Sequence, residues 1–207
     1  KNEQTSFMTY PGLLDLLIDK FNPNDNFNFL DFGGEKIDFY LNLKRKFKNV
    51  NYFLYNQKSI NDTFNRIKTE FNYSNLNIIE KFEKIFIEKY DFVNFGSCVQ
   101  YLDDYENILK EISNNSKYIF FSATHLYDAS KNEFRKNLVV KQIMGSPKPF
   151  YLYFFNRSDF FSILEKEKFK LMFEKKNLTD DINYKNFQGY LTNITYSDFL
   201  FLKEKSI

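Results

Sequence analysis

The chain of 207 residues has one cysteine, one histidine, no tryptophan, six glycines and four prolines. A single cysteine excludes an internal disulfide and any multi-cysteine metal site. A single histidine excludes metal centres that need two or three imidazoles, so no metal is expected. No apolar run approaches the ~18 residues that a membrane span needs. The longest, Phe92 to Leu102, reads as a buried strand and its turn. The opening Lys1-Asn2-Glu3-Gln4 lacks the apolar region of a signal peptide, and a cytoplasmic location is expected. Excess charge is missing too. Lys and Arg number 29 against 27 Asp and Glu, giving +2, which exerts no general pull on nucleic acid or on an anionic membrane.

Aromatic residues are abundant, with 27 Phe and 15 Tyr making up 20% of the chain. That supply and the length suit one domain, 1–207, with a continuous core. Asparagine is also common, at 25 residues, so triplets such as Asn61-Asp62-Thr63 carry no weight as glycosylation signals.

Helical and extended patterns alternate along the chain. Helices are expected over 10–21, over Ile37 to Phe47, over Ser59 to Phe71 with Ser59 as N-cap, over Asp103 to Ile112 and over Arg157 to Lys166. Strands are expected at Phe27 to Phe32, Val50 to Tyr55, Leu76 to Ile79, Tyr90 to Phe95, Lys117 to Ser122, Phe169 to Phe173 and Ser197 to Leu202. The stretch 124–156 shows little regular pattern and reads as an irregular insertion, of the kind that often forms a lid or substrate loop. Strands spaced by helices imply an α/β, doubly wound, mostly parallel sheet with helices on both faces. Ligands of such sheets sit outside the carboxyl ends of the strands, beside the first strand.

At that edge Leu30-Asp31-Phe32-Gly33-Gly34 ends the first strand in a carboxylate and a glycine pair. Glycines there permit a tight turn and close backbone approach to a ligand. The third glycine of a dinucleotide fingerprint is absent, because Glu35-Lys36-Ile37 follow. Glu35 would oppose a pyrophosphate, so the corner suits a nucleoside compound without phosphates. Asn56 ends the second strand, where Rossmann-type sites place an acid for ribose hydroxyls. The fourth strand ends in Gly96-Ser97-Cys98, and Gln100 and Tyr101 follow at the mouth of the crevice. Cys98 reads as a small buried hydrophobe. His125, just past the fifth strand, could take a proton from an acceptor hydroxyl. Phe150 to Phe155 reads as core or pocket wall, and Lys81 to Lys89 as an amphipathic surface.

The runs LDFGG and YDFVNFGSCVQYLDD, followed by a fifth strand and a long insertion, resemble a group of bacterial class I S-adenosylmethionine-dependent methyltransferases. Members are often associated with surface-polysaccharide gene clusters. GSCVQYL matches the signature S-G-x-x-Q-Y-hydrophobic, with Gly96 and Ser97 in inverted order. Gln188-Gly189-Tyr190 also fits. The resemblance implies a Rossmann-like seven-stranded sheet of order 3-2-1-4-5-7-6, with strand 7 antiparallel. It implies S-adenosyl-L-methionine as cofactor, held by Asp31, Gly33, Gly34, Asn56, Gln57, Gly96, Ser97 and Gln100. The acceptor would be an oxygen or nitrogen of a small molecule or glycan precursor; by their position alone, His125 and Tyr101 are the candidate catalytic residues. The sequence departs from the pattern at Glu35, at Asn56 in place of an acid, and at Ser122-Ala123-Thr124-His125. Glu35 and Asn56 favour an alternative, a non-catalytic Rossmann-like binding protein with a degenerate cofactor site.

Overall fold

The computed structural model describes residues 18–128, 136–142, 150–177 and 194–204. The helix expected at 10–21 and Gln188-Gly189-Tyr190 lie outside these, save residues 18–21. In chain order come β1 (Asn26–Phe32), α1 (Asp38–Lys46), β2 (Asn49–Tyr55), α2 (Lys58–Glu70) and β3 (Leu76–Ile78). A 3-10 helix (Phe82–Phe86), β4 (Tyr90–Gly96), a second 3-10 helix (Val99–Tyr101), α3 (Tyr105–Asn115) and β5 (Ser116–Tyr127) follow. Then come β6 (Leu138–Gln142), β7 (Phe150–Asn156), α4 (Arg157–Lys166), β8 (Phe169–Asn177) and β9 (Thr195–Lys203).

The sheet carries the order β3-β2-β1-β4-β5-β7-β6, and β1, β2, β3, β4 and β5 run parallel. Among the described residues it has nine strands, where the sequence led us to expect seven. The two additional strands are β6 and β7, an antiparallel hairpin inside the stretch expected to be irregular. They fork from the end of β5, whose Leu126 and Tyr127 pair in parallel with Phe155 and Asn156 of β7. On its other branch β5 pairs antiparallel with β9, and β9 with β8. Without the hairpin, the strands taken in chain order read 3-2-1-4-5-7-6, with the last antiparallel to both neighbours.

β1 shows why both faces are covered. Phe27 and Phe29 point into one buried cluster with Tyr40 and Leu43 of α1 and Phe64 of α2. Leu30 and Phe32 point into the other, with Ile108, Leu109 and Ile112 of α3 and Phe160 of α4. This is the strand period of two with both faces buried. Aromatic partners in register extend the packing across strands. Phe29 stacks on Phe92 at 5.5 Å, and Phe95 on Phe121 at 5.1 Å. Such pairs add about 0.5–1.5 kcal/mol beyond their area burial.

Three local expectations are corrected. α2 starts at Lys58 with Gln57 in the cap position, so Ser59 lies within the first turn and caps nothing. β5 continues to Tyr127, which puts His125 inside the strand. Within Lys81 to Lys89, Ile85 is fully buried in the core under the first 3-10 helix. Among the described residues no helix is long and apolar enough to cross a membrane.

Candidate functional site

The corner after β1 is shaped by the protein's own groups. Gly33 has φ +82°, and a Cβ there would lie 2.8 Å from the Cβ of Cys98. A Cβ on Gly34 would lie 1.9 Å from Asp31 Oδ2. The sequence suggested glycines that admit a ligand; these glycines first admit Cys98 and the Asp31 carboxylate. Two bonds tie the corner to the end of β2. The Gly33 N–H donates to the Tyr55 carbonyl at 2.8 Å, and Asn56 Nδ2 donates to the Gly34 carbonyl at 2.7 Å. Asn56 Oδ1 accepts the Gln57 N–H at 2.6 Å. A carboxylate at position 56 could not donate to Gly34, so the amide has a structural use here.

Asp31 is 1% exposed. Its Oδ2 accepts from the Tyr52 hydroxyl at 2.5 Å and its Oδ1 from Asn94 Nδ2 at 2.8 Å. Asn94 stands directly opposite Asp31 in the β1–β4 ladder. Burial raises the Asp31 pKa to about 6, and the two donors restrain that rise. Burial raises the Tyr52 phenol well above its usual range, so Tyr52 keeps its proton and donates.

At the end of β4, Ser97 adopts φ +54°. Cys98 Sγ donates to the Phe32 carbonyl at 3.0 Å, and burial pushes its thiol pKa up. Gln100 is 1% exposed. Its Nε2 donates to the Ser97 carbonyl at 3.1 Å and reaches the Ala123 carbonyl at 3.4 Å. It thus braces the Ser97 turn against β5 from beneath.

Over the carboxyl ends of β1, β2 and β4 lies a cavity of about 810 Å³, near the top of the roughly 300–1,000 Å³ range of small-molecule pockets. Asp31, Gly33, Gly34, Asn56, Gln57, Gly96, Ser97 and Tyr101 line it. Gln100 and His125 are not among its lining residues. Phe39, Tyr55, Asn94, Leu102 and Gln142 line it without having been singled out as site residues, and Phe150, read from the sequence as core or pocket wall, lines it as well. Asn94 left a signal in the sequence, a polar residue interrupting the apolar run of β4; Gln142 left none. His125 is packed between Phe154, 4.8 Å away and stacked, and Tyr196 at 4.9 Å. Burial lowers its pKa to about 4, so it is a neutral ring at pH 7. Among the described residues no group of three or more His, Cys, Asp or Glu side chains is placed to hold a metal ion.

No protein-family model and no curated protein matches the sequence. Solved structures match the fold. The O-methyltransferase of the trans-AT PKS multienzyme of Brevibacillus brevis, in complex with S-adenosyl-L-homocysteine, aligns with a TM-score of 0.68 at 13% identity, covering 92% of this chain and 71% of that one. An S-adenosylmethionine-dependent methyltransferase from Clostridium acetobutylicum aligns with a TM-score of 0.56 at 13% identity, covering 92% and 90%. The cyclase SpnF aligns with a TM-score of 0.61 at 11% identity, covering 94% and 81%. The chain therefore has the Rossmann-like fold of S-adenosylmethionine-dependent methyltransferases. A cyclase shares that fold, so the reaction must be argued from the site.

Proposed function

We propose that the protein is an S-adenosyl-L-methionine-dependent methyltransferase acting on an oxygen or nitrogen of a small molecule or glycan precursor. One observation carries this reading. The cavity opens where β1 and β4 part, between the Gly33-Gly34 corner and the Ser97 turn, which is the switch point where doubly wound sheets bind nucleosides. Its charges fit the cofactor. Among the described residues, Asp31, Glu35 and Lys36 are the charged ones that line it; two acids against one base suit a cationic sulfonium and oppose a phosphate.

In this reading the backbone of Gly33 and Gly34 lies along the amino acid part and the ribose, and Asn56 and Gln57 face the ribose hydroxyls. Gly96 and Ser97 bound the methyl donor. Gln100 is a positioning residue that holds Ser97. When bound, the cofactor supplies an electrophilic methyl, whose transfer forms the acceptor O–C or N–C bond, breaks the S–C bond and releases the acceptor proton with S-adenosylhomocysteine. The protein's part is alignment of that acceptor. Tyr101, which lines the cavity, is placed for this; His125, stacked outside it, has no part in the transfer.

Asn56 supports a second reading, a binding protein with a degenerate site, because both its side-chain polar atoms already have partners within the protein. Titration calorimetry with S-adenosylhomocysteine separates the two. Binding that disappears in Asp31→Ala is the expected result. No heat at millimolar ligand, with the protein folded by circular dichroism, rejects the methyltransferase reading.

A further inference from the structure

The cavity has two chemically different ends. Among the described residues, its charged lining residues, Asp31, Glu35 and Lys36, lie at the end of β1 and in the corner after it. The opposite end is bounded by Tyr101, Leu102, Gln142 and Phe150, none of them charged. Gln142 and Phe150 are cross-strand partners at the end of the β6–β7 hairpin. The Tyr101 hydroxyl donates to Gln142 Oε1 at 3.1 Å, which ties the turn after β4 to that hairpin.

Two aromatic rings are left partly in water here. Tyr101 is 44% and Phe150 50% exposed, although both line the cavity. Half-exposed rings flanking an opening gain most from covering by a flat apolar partner. Among the described residues, the polar side chains that line this end, those of Tyr101 and Gln142, are neutral. With its proton committed to Gln142, the Tyr101 oxygen keeps lone pairs that can accept an O–H, and the Gln142 amide N–H groups can donate. Burial raises the Tyr101 pKa, which keeps it a neutral phenol. A ring with one hydroxyl is matched by what stands there.

Resting on the methyltransferase reading above, we propose that this end is the acceptor subsite and that it takes an uncharged phenol. The ring lies against Phe150 and Tyr101, and its hydroxyl is held by the Tyr101 oxygen and the Gln142 amide. Gln142 is a positioning residue for Tyr101 and sets the preference for a hydroxylated ring.

Saturation-transfer NMR and calorimetry on the full chain loaded with S-adenosylhomocysteine test this, with p-cresol, toluene and methyl glucoside as probes. The expected result is binding of p-cresol ahead of toluene, with no binding of methyl glucoside. Phe150→Ala should weaken p-cresol about tenfold, the equivalent of about 1.4 kcal/mol. Gln142→Leu should erase the preference for p-cresol over toluene. Both variants should keep the wild-type affinity for S-adenosylhomocysteine, which shows that they are folded. If S-adenosylhomocysteine binds but p-cresol does not, or if methyl glucoside binds instead, the phenol subsite is wrong and the methyltransferase reading stands. If S-adenosylhomocysteine itself does not bind, both fail.

Discussion

Ser97 holds a backbone conformation, φ +54°, that glycine adopts at least cost. The residue before it is Gly96, whose φ is not positive. The signature this segment resembles has the two in the opposite order, with glycine at the second position. The left-handed conformation costs a non-glycine residue about 1–2 kcal/mol, and glycine's extra freedom in the unfolded chain takes back part of any gain. Ser97→Gly should therefore stabilise the protein by about 0.5–1 kcal/mol, read as a higher urea midpoint at unchanged slope. The Ser97 hydroxyl accepts a long 3.3 Å bond from Gln100, whose shorter bond goes to the Ser97 carbonyl and survives the change. The inversion was visible in the sequence, but its consequence was not, because φ is a property of the turn. The same holds for Gly34. The pattern marked a close approach there, and only the fold shows that the approaching group is the Asp31 carboxylate.

At the scale of elements, β1 to β4 and all four described helices were legible to within a few residues. Their apolar positions follow one period, and Gly, Asn or Pro interrupts them at the ends. β5 was legible only as far as Ser122. Beyond it the strand is buried but interrupted by polar residues, Thr124 and His125, after the polar Ser122. A bulge breaks its period as well. The register against β9 shifts between Phe121 and Thr124, and Ala123 takes φ +51°. Bulges add a residue to one strand and turn later side chains to the other face. That hid the extension of β5, and with it the hairpin that brings Gln142 and Phe150 to the cavity. The bulge is held by a distant group, since the Ala123 N–H donates to Asp198 Oδ1 at 2.8 Å. Asp198→Ala leaves that N–H without its partner, which costs about 1–3 kcal/mol for a buried donor. Denaturant unfolding should show the loss. Amide exchange should accelerate in 123–127 more than in β1, since β4 and β5 separate β1 from β9, the strand that carries Asp198. Equal acceleration in both would mean that the bulge is not a separate weak point.

At the scale of the molecule, two buried groups oppose each other in their response to pH. Asp31 has its pKa raised from 3.8 to about 6, and His125 has its pKa lowered from 6.5 to about 4, each with burial as the leading cause. Between pH 4 and 6 the folded Asp31 keeps a proton that the unfolded chain releases, so its contribution to stability falls as pH rises. In the same window the folded His125 lacks a proton that the unfolded chain binds, so its contribution rises with pH. At about 1.4 kcal/mol per tenfold change in proton affinity, each is worth about 3 kcal/mol, with opposite sign. The two nearly cancel, and wild-type stability should be almost flat across this window as far as they determine it. Single substitutions expose the halves. Asp31→Asn keeps a neutral side chain in place and removes the falling arm, so that variant should gain stability steadily from pH 4 to 6. His125→Phe preserves an aromatic ring beside Phe154 and removes the rising arm, so that variant should lose stability over the same range. The double variant should return to a shallow profile. Chemical denaturation at half-unit pH steps measures all four proteins. Parallel curves for wild type and both single variants would show that neither group titrates in the folded protein as its burial requires.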